Sequence, residues 1–120
     1  MFKNLLLVSA GGMLGSALRY VFYVLMKPSV FPYATLTVNI AGSFIIGLIA
    51  GLSLRDPGIG NNWRLFLATG ICGGFTTFSA LSLESIQLIQ EHRYGMAAGY
   101  IGISIVLGLA ATFAGILISR

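Results

Sequence analysis

The chain has 120 residues, 57% of them hydrophobic and 8% charged, whereas soluble domains carry about 25% charged residues. A soluble protein this small has no interior large enough for so much apolar surface, so the sequence reads as an integral membrane protein. Seven basic residues against three acidic ones give a net charge of +4, but the basic ones are scattered along the chain, which excludes a clustered nucleic-acid surface.

Crossing the hydrocarbon core takes about 20 helical residues, and four segments qualify, forming one domain over residues 1–120 with no soluble lobe. The first span is expected over residues 2–26. Lys3 and the apolar residues 5–10 fit the start of a secretory leader. The apolar run continues through Gly11-Gly12-Met13-Leu14-Gly15 to Arg19 with no Ala-x-Ala cleavage site, so the segment is read as a retained span. Arg19, near its end, is suited to snorkel toward phosphates, pair with a carboxylate or draw anions toward a vestibule; snorkelling is the plainer role. Lys27-Pro28 stops the helix, and Phe31-Pro32-Tyr33 leads into the second span at residues 34–54.

The second span carries Asn39 within Thr35-Leu36-Thr37-Val38-Asn39-Ile40-Ala41-Gly42-Ser43. An amide donates and accepts, and burying it unpaired costs about 2–7 kcal/mol. Asn39 and Ser43 stand four apart, so they share a face. That polar stripe serves equally as interhelical glue or as a pathway wall. A turn-rich polar loop follows, Arg55-Asp56-Pro57-Gly58-Ile59-Gly60-Asn61-Asn62.

The third span, residues 63–90, holds the most informative stretch: Gly70-Ile71-Cys72-Gly73-Gly74-Phe75-Thr76-Thr77-Phe78-Ser79. Glycines loosen the helix, and hydroxyls need partners where there is no water. Irregular backbone at membrane depth is tolerated where it is buried in protein or lines a cavity, so a helix break is expected here. Phe75, Phe78 and Ser82 recur at three- and four-residue steps, with Ser79 one turn beyond Phe75. The spacing places rings and hydroxyls on one face. Positive ring edges with hydroxyl and amide donors can solvate a small anion without a fixed charge that would hold it too tightly; plain core packing is the simpler role for the two rings. Glu84 follows, an intramembrane carboxylate and therefore a functional candidate that also competes for a capping or snorkelling role. Cys72, the only cysteine, is expected to be inert packing.

After the loop Glu91-His92-Arg93-Tyr94-Gly95, the fourth span is expected over residues 96–119. Tyr100, Ser104 and Thr112 lie at multiples of four with Gly108 between, which makes a stripe suggestive of a polar track. Small residues recur four apart at Gly11/Gly15, Gly47/Gly51, Gly70/Gly74 and Gly95/Gly99, spacing that lets helix backbones approach closely. Lys3, Arg55, Arg64 and Arg120 fall on the side of the termini, against Lys27 and Arg93 with Arg19 nearby. So weak a bias permits insertion in both orientations and antiparallel pairing. Four short helices enclose little space alone, so a homodimer is expected in the lipid. No metalloprotease, nucleophile-elbow or phosphate-loop motif is present, and His92 has no partner at metal spacing; no enzyme activity is expected.

Together these motifs resemble the fluoride channel family known as Fluc or CrcB, over nearly the whole chain. Gly11 through Tyr20 looks like its Gly-Gly-x-x-Gly-x-x-x-Arg-aromatic signature, and Thr35-Leu36-Thr37-Val38-Asn39 with Gly42 like its Gly-Thr-Leu-x-Val-Asn signature. Gly70 through Ser79, with Ser82 and Glu84, is similar to its Gly-x-x-Gly-Gly-x-Thr-Thr-Phe-Ser-Thr-Phe-Ser-x-Glu motif. The resemblance implies an all-α, four-helix protein with a broken third span, paired as a dual-topology antiparallel homodimer in the cell (inner) membrane. It implies two pores that pass fluoride selectively and passively, and a structural sodium ion at the dimer interface held by the backbone carbonyls of Gly73 and Thr76. Carried over by motif, Asn39, Phe78 and Ser79 belong to the pore, Ser104 and Thr112 to a polar track, and Glu84 near the pathway; Ser82, Tyr100, Phe75 and Arg19 join them as pore candidates from the residue reading. The sequence departs from the pattern at Leu81, where the family has a second pore phenylalanine, at Ala80 in place of threonine, and at Ala34 in place of glycine. Two other readings share the size and span count: a small four-span exporter of cationic compounds, and a non-transporting subunit of a membrane assembly.

Overall fold

The structure, a computed structural model, describes residues 1–120. It is all helical. In chain order the elements are α1 (Phe2–Leu25), α2 (Tyr33–Arg55), α3 (Asn61–Arg64), a π-helical segment (Leu65–Cys72), α4 (Gly73–Phe75), α5 (Phe78–Gln90) and α6 (Tyr94–Ser119). The segments from α3 to α5 form one path, so four helical rods are long and apolar enough to cross a membrane: Phe2–Leu25, Tyr33–Arg55, Asn61–Gln90 and Tyr94–Ser119. The molecule's longest dimension is 50 Å, enough to traverse a bilayer about 40–45 Å thick with its headgroups. Only 16 of 120 residues are buried, and large apolar side chains such as Leu5, Val24, Leu109 and Phe113 point outward. This is a multi-pass membrane protein, its apolar exterior unsuited to water.

The turns follow from local chemistry. Pro28 and Pro32 cannot continue a helix from within, and Pro32 stands immediately before α2, where its carbonyl accepts from the Leu36 N–H at 3.2 Å. Asp56 closes the second loop by accepting the Gly58 N–H on Oδ1 at 2.9 Å, a turn that its short side chain makes at low cost. At the end of α5 the Arg93 N–H reaches the Leu88 carbonyl and the His92 N–H the Ile89 carbonyl, with His92 at φ 60°. This is a left-handed helix cap of the Schellman type with a histidine where glycine is usual.

The four rods form two parallel pairs. In the first, α1 lies along the third span with backbone against backbone. A Cβ on Gly70 would sit 2.8 Å from the Gly11 Cα, and one on Gly74 would sit 3.0 Å from the Gly12 Cα. In the second pair, α2 lies along α6. A Cβ on Gly47 would strike the Thr112 carbonyl and one on Gly115 the Phe44 carbonyl, while one on Gly108 would rest 3.7 Å from Ser43 Oγ. That register, carried back turn by turn, sets Ser104 level with Asn39 and Tyr100 level with Thr35. Gly95 and Gly99, the remaining pair at helical spacing, face open space. A small core of Leu88, Ala97 and Tyr100 closes the loop end, with Phe31, Leu36, Leu81 and Met96 packed against it.

Candidate functional site

The third span stays helical through Phe75 and then opens. Thr76 (φ −83°, ψ 156°) and Thr77 (φ −152°, ψ 117°) are extended, and the helix restarts at Phe78. Thr77 makes the restart possible: its Oγ1 accepts the Ala80 N–H at 3.1 Å, a threonine N-cap of ordinary geometry. Thr76 finishes the upstream half by donating its hydroxyl to the Cys72 carbonyl at 2.8 Å, while its N–H takes the same carbonyl at 3.0 Å.

Two neighbouring helices bind the main chain that the break releases. From α2, the Asn39 side chain grips the Thr77 peptide unit at two points: Oδ1 accepts the Thr77 N–H at 2.8 Å, and Nδ2 donates to the Thr77 carbonyl at 3.2 Å. From α1, Arg19 Nε donates to the Gly74 carbonyl at 3.2 Å. In an unbroken helix the Thr77, Phe78 and Ala80 N–H groups would take the carbonyls of Gly73, Gly74 and Thr76. Here Thr77 turns to Asn39, Gly74 is held by Arg19, and Ala80 turns to Thr77. The Gly73 and Thr76 carbonyls thereby leave the helical ladder. No three His, Cys, Asp or Glu side chains come together, so any cation bound at this place would rely on main-chain oxygens, the ligands that hard cations prefer.

Beside the break, α2 and the third span bound an open groove of about 580 Å³. Asn39, Gly42 and Ser43 form one wall, and Thr69, Gly73, Thr76, Thr77, Phe78 and Leu81 the other. Its lining is mostly apolar, and the amide, hydroxyl and carbonyl groups set into it need partners at membrane depth. Phe78 projects beside it with 78% of its surface exposed, and Ser79 and Ser82 are exposed with it. Ser79 Oγ pairs with Thr77 Oγ1 at 3.0 Å.

The remaining candidates separate into distinct places. Phe75 is buried to 6% exposure, edge-on to Phe22 with ring centres 5.4 Å apart, and it does not line the groove. The helical spacing that set Phe75 and Phe78 on one face does not survive two extended residues between them. Tyr100 is fully buried and donates its hydroxyl to Glu84 Oε1 at 3.2 Å. Its ring meets Phe31 edge-on, with centres 5.5 Å apart. Glu84 also borders a second cavity, about 690 Å³, at the loop end with Tyr23, Lys27 and Glu91. Thr112 donates to the Ser43 and Gly108 carbonyls, both at 3.1 Å. Ser104 Oγ is buried with no hydrogen-bond partner. It stands level with Asn39 on the neighbouring helix. Ser43 and Thr112 join the α2 and α6 stripes, whereas Glu84 and Tyr100 lie toward the loop end.

Sequence reasoning left Arg19 with several roles and its plainer one was snorkelling, whereas the structure turns the side chain inward onto Gly74. The available signal was the glycine at Gly74, since only bare backbone there lets the third span come close enough to α1 for Arg19 to reach. Thr69 was not singled out, although it lies on the groove wall four residues before Gly73.

The family described as CrcB-like protein, Camphor Resistance (CrcB), matches residues 6–116. A protein of Azobacteroides pseudotrichonymphae called fluoride-specific ion channel FluC is 43% identical over 123 aligned positions, covering 100% of this chain and 98% of its own length. One of the same description from Caulobacter vibrioides is 46% identical, covering 98% of this chain and 96% of its own length. A third, from Flavobacterium psychrophilum, is 43% identical with 98% of each chain covered.

Proposed function

The chain belongs to the CrcB family, and we propose that it is a fluoride-selective channel that passively relieves fluoride accumulation across the cell inner membrane. The observation that carries this reading is the groove at the broken third span. Neutral donors line it, Asn39 holds its shape, and the ring of Phe78 stands at its edge. Neutral donors suit a small, strongly hydrated anion: they replace water, yet no fixed positive charge on the groove wall traps the ion. The second N–H of Asn39 Nδ2, beyond the one given to Thr77, is a donor of the required kind.

The working unit is read as an antiparallel homodimer with two pathways. In one copy the groove lies open, with a few polar groups set in a mostly apolar lining, and a second copy would cover it while supplying the missing wall. The near balance of positive charge between the two ends supports dual insertion. The Gly73 and Thr76 carbonyls, released from the helical ladder in residues that border the groove, would hold a structural sodium ion, which would supply ion–dipole attraction there. Weak acid chemistry explains the physiology. HF crosses lipid neutral, dissociates in a near-neutral cytoplasm and leaves fluoride inside. An interior-negative potential then drives the anion out through a passive pore with about 2.3 kcal/mol per charge per 100 mV. Fluoride and chloride efflux from liposomes holding the purified protein tests the reading: rapid fluoride loss with chloride retained is expected, and retention of both by a folded protein overturns it.

A further inference from the structure

Arg19 is a permanent charge inside a membrane span, and it has no carboxylate partner: the protein's ion pair is Arg93 with Glu91 at the loop. Its one hydrogen bond goes to the Gly74 carbonyl, 3.2 Å from Nε and 55 residues away in sequence. Gly74 sits between the two residues whose carbonyls the break releases. Its own carbonyl is the one that Phe78 would reclaim if the helix closed over the break. A carbonyl pulled toward α1 cannot serve Phe78, and the adjoining peptide planes turn with it.

From this contact we infer that Arg19 is a positioning residue. By drawing the Gly74 carbonyl toward α1 it keeps the third span open, and it aims the flanking Gly73 and Thr76 carbonyls at the groove. The role belongs to the N–H donor; the charge serves to make that bond strong in a dry place. Asn39 performs the matching task from the opposite side on Thr77. The break is therefore clamped from α1 and α2 together, and neither half of the third span has to hold it by its own torsions. Gly74 itself belongs to the same device, because a Cβ there would press on the Gly12 backbone and lift the third span away from Arg19. The inference rests on the proposed fluoride pathway for one readout and on the proposed sodium site for another.

Arg19→Gln keeps a side-chain N–H donor and loses the charge, whereas Arg19→Met keeps the length and loses both. Each purified full-length variant is measured for fluoride efflux from liposomes and for the sodium dependence of its monomer–dimer equilibrium in lipid. A lost hydrogen bond to a charged donor corresponds to roughly a tenfold to hundredfold effect. Fluoride efflux at least about tenfold faster in Gln than in Met is expected on that basis, with the sodium midpoint of Met raised by a similar factor. Equal efflux in the two, with both slow, assigns Arg19 to long-range charge and overturns the inference; so does wild-type behaviour in Met. If Met does not fold, Gln against wild type decides: efflux within about threefold supports the inference, and a loss beyond about tenfold, the size of one such bond, overturns it. A wild-type dimer insensitive to sodium removes the sodium site alone, and the efflux comparison still decides the role of Arg19. Retention of fluoride by wild type removes the channel reading, and the dimer titration then decides.

Discussion

The two parallel helix pairs of this protein start from the same material and end in opposite states. In the α2–α6 pair, most hydroxyls return to their own helix: Ser53 donates to the Ile49 carbonyl, Ser119 to that of Gly115, and Thr112 to that of Gly108 while also reaching Ser43 on α2. The ladder stays whole, and the seam closes through Gly47, Gly51 and Gly115. In the α1–third-span pair, glycines also bring backbones together, but the third span opens at Thr76 and Thr77, and long side chains from α1 and α2 take up the released groups. A serine or threonine inside a helix can satisfy itself locally. An amide or a guanidinium has the reach to satisfy a neighbour's main chain. The break exists where both reaching groups are present.

Substitutions at close backbone crossings should have the largest effect. Gly70→Val places side-chain atoms against the Gly11 backbone, which is already 2.8 Å from a Cβ at that position. A loss of about 3 kcal/mol is expected from such overpacking, read as a collapse in the yield of monodisperse protein. Gly99→Ala, facing open space, should leave the folding of the single chain unchanged. Equal yields from the two would dissolve the contrast between packed and open glycines.

Next comes Asn39→Ala, which leaves the Thr77 N–H and carbonyl both unpaired. Two part-buried groups at about 1–3 kcal/mol each predict a fall in fluoride efflux of at least about thirtyfold, measured in liposomes at matched protein density. Thr77→Ala removes the cap of α5 and the exposed pairing with Ser79, and a loss of about 1 kcal/mol in stability is expected in thermal unfolding. Ser53→Ala, in the regular pair, should change stability by less than about 0.5 kcal/mol, because a self-satisfied hydroxyl takes its acceptor's need with it. A Ser53→Ala effect as large as that of Asn39→Ala would show that the two pairs do not differ as described.

Composition and apolar run length located all four spans to within about two residues, because hydrophobic length is set by the bilayer itself. Prolines and glycines marked the loops, and the Gly-Gly-x-Thr-Thr run marked the break. Less local features were not legible. The π-helical turn at Leu65–Cys72 has no distinct residue signature, and it moves every later side chain around the axis. Phe75 and Phe78 share a face in an ideal helix, yet two extended residues send one to the α1 seam and the other to the groove edge. Leu81, noted as a departure from the family pattern, packs against the Tyr100 core while also lining the groove. Which of these it serves depends on the α5–α6 contact, and no spacing within α5 encodes that. Asn39 was legible as a polar residue in need of a partner; that its partner is a peptide unit 38 residues away required the fold.

The central claim is that a break held by Asn39 forms a fluoride pathway, and paired efflux measurements on wild type and Asn39→Ala test it most directly. Liposomes loaded with potassium fluoride and potassium chloride are opened to potassium by valinomycin, and both halides are followed with selective electrodes. The account predicts rapid fluoride loss with chloride retained for wild type, and neither ion released by a folded Asn39→Ala. Fluoride retained by folded wild-type protein, or fluoride efflux unchanged in Asn39→Ala, would contradict it.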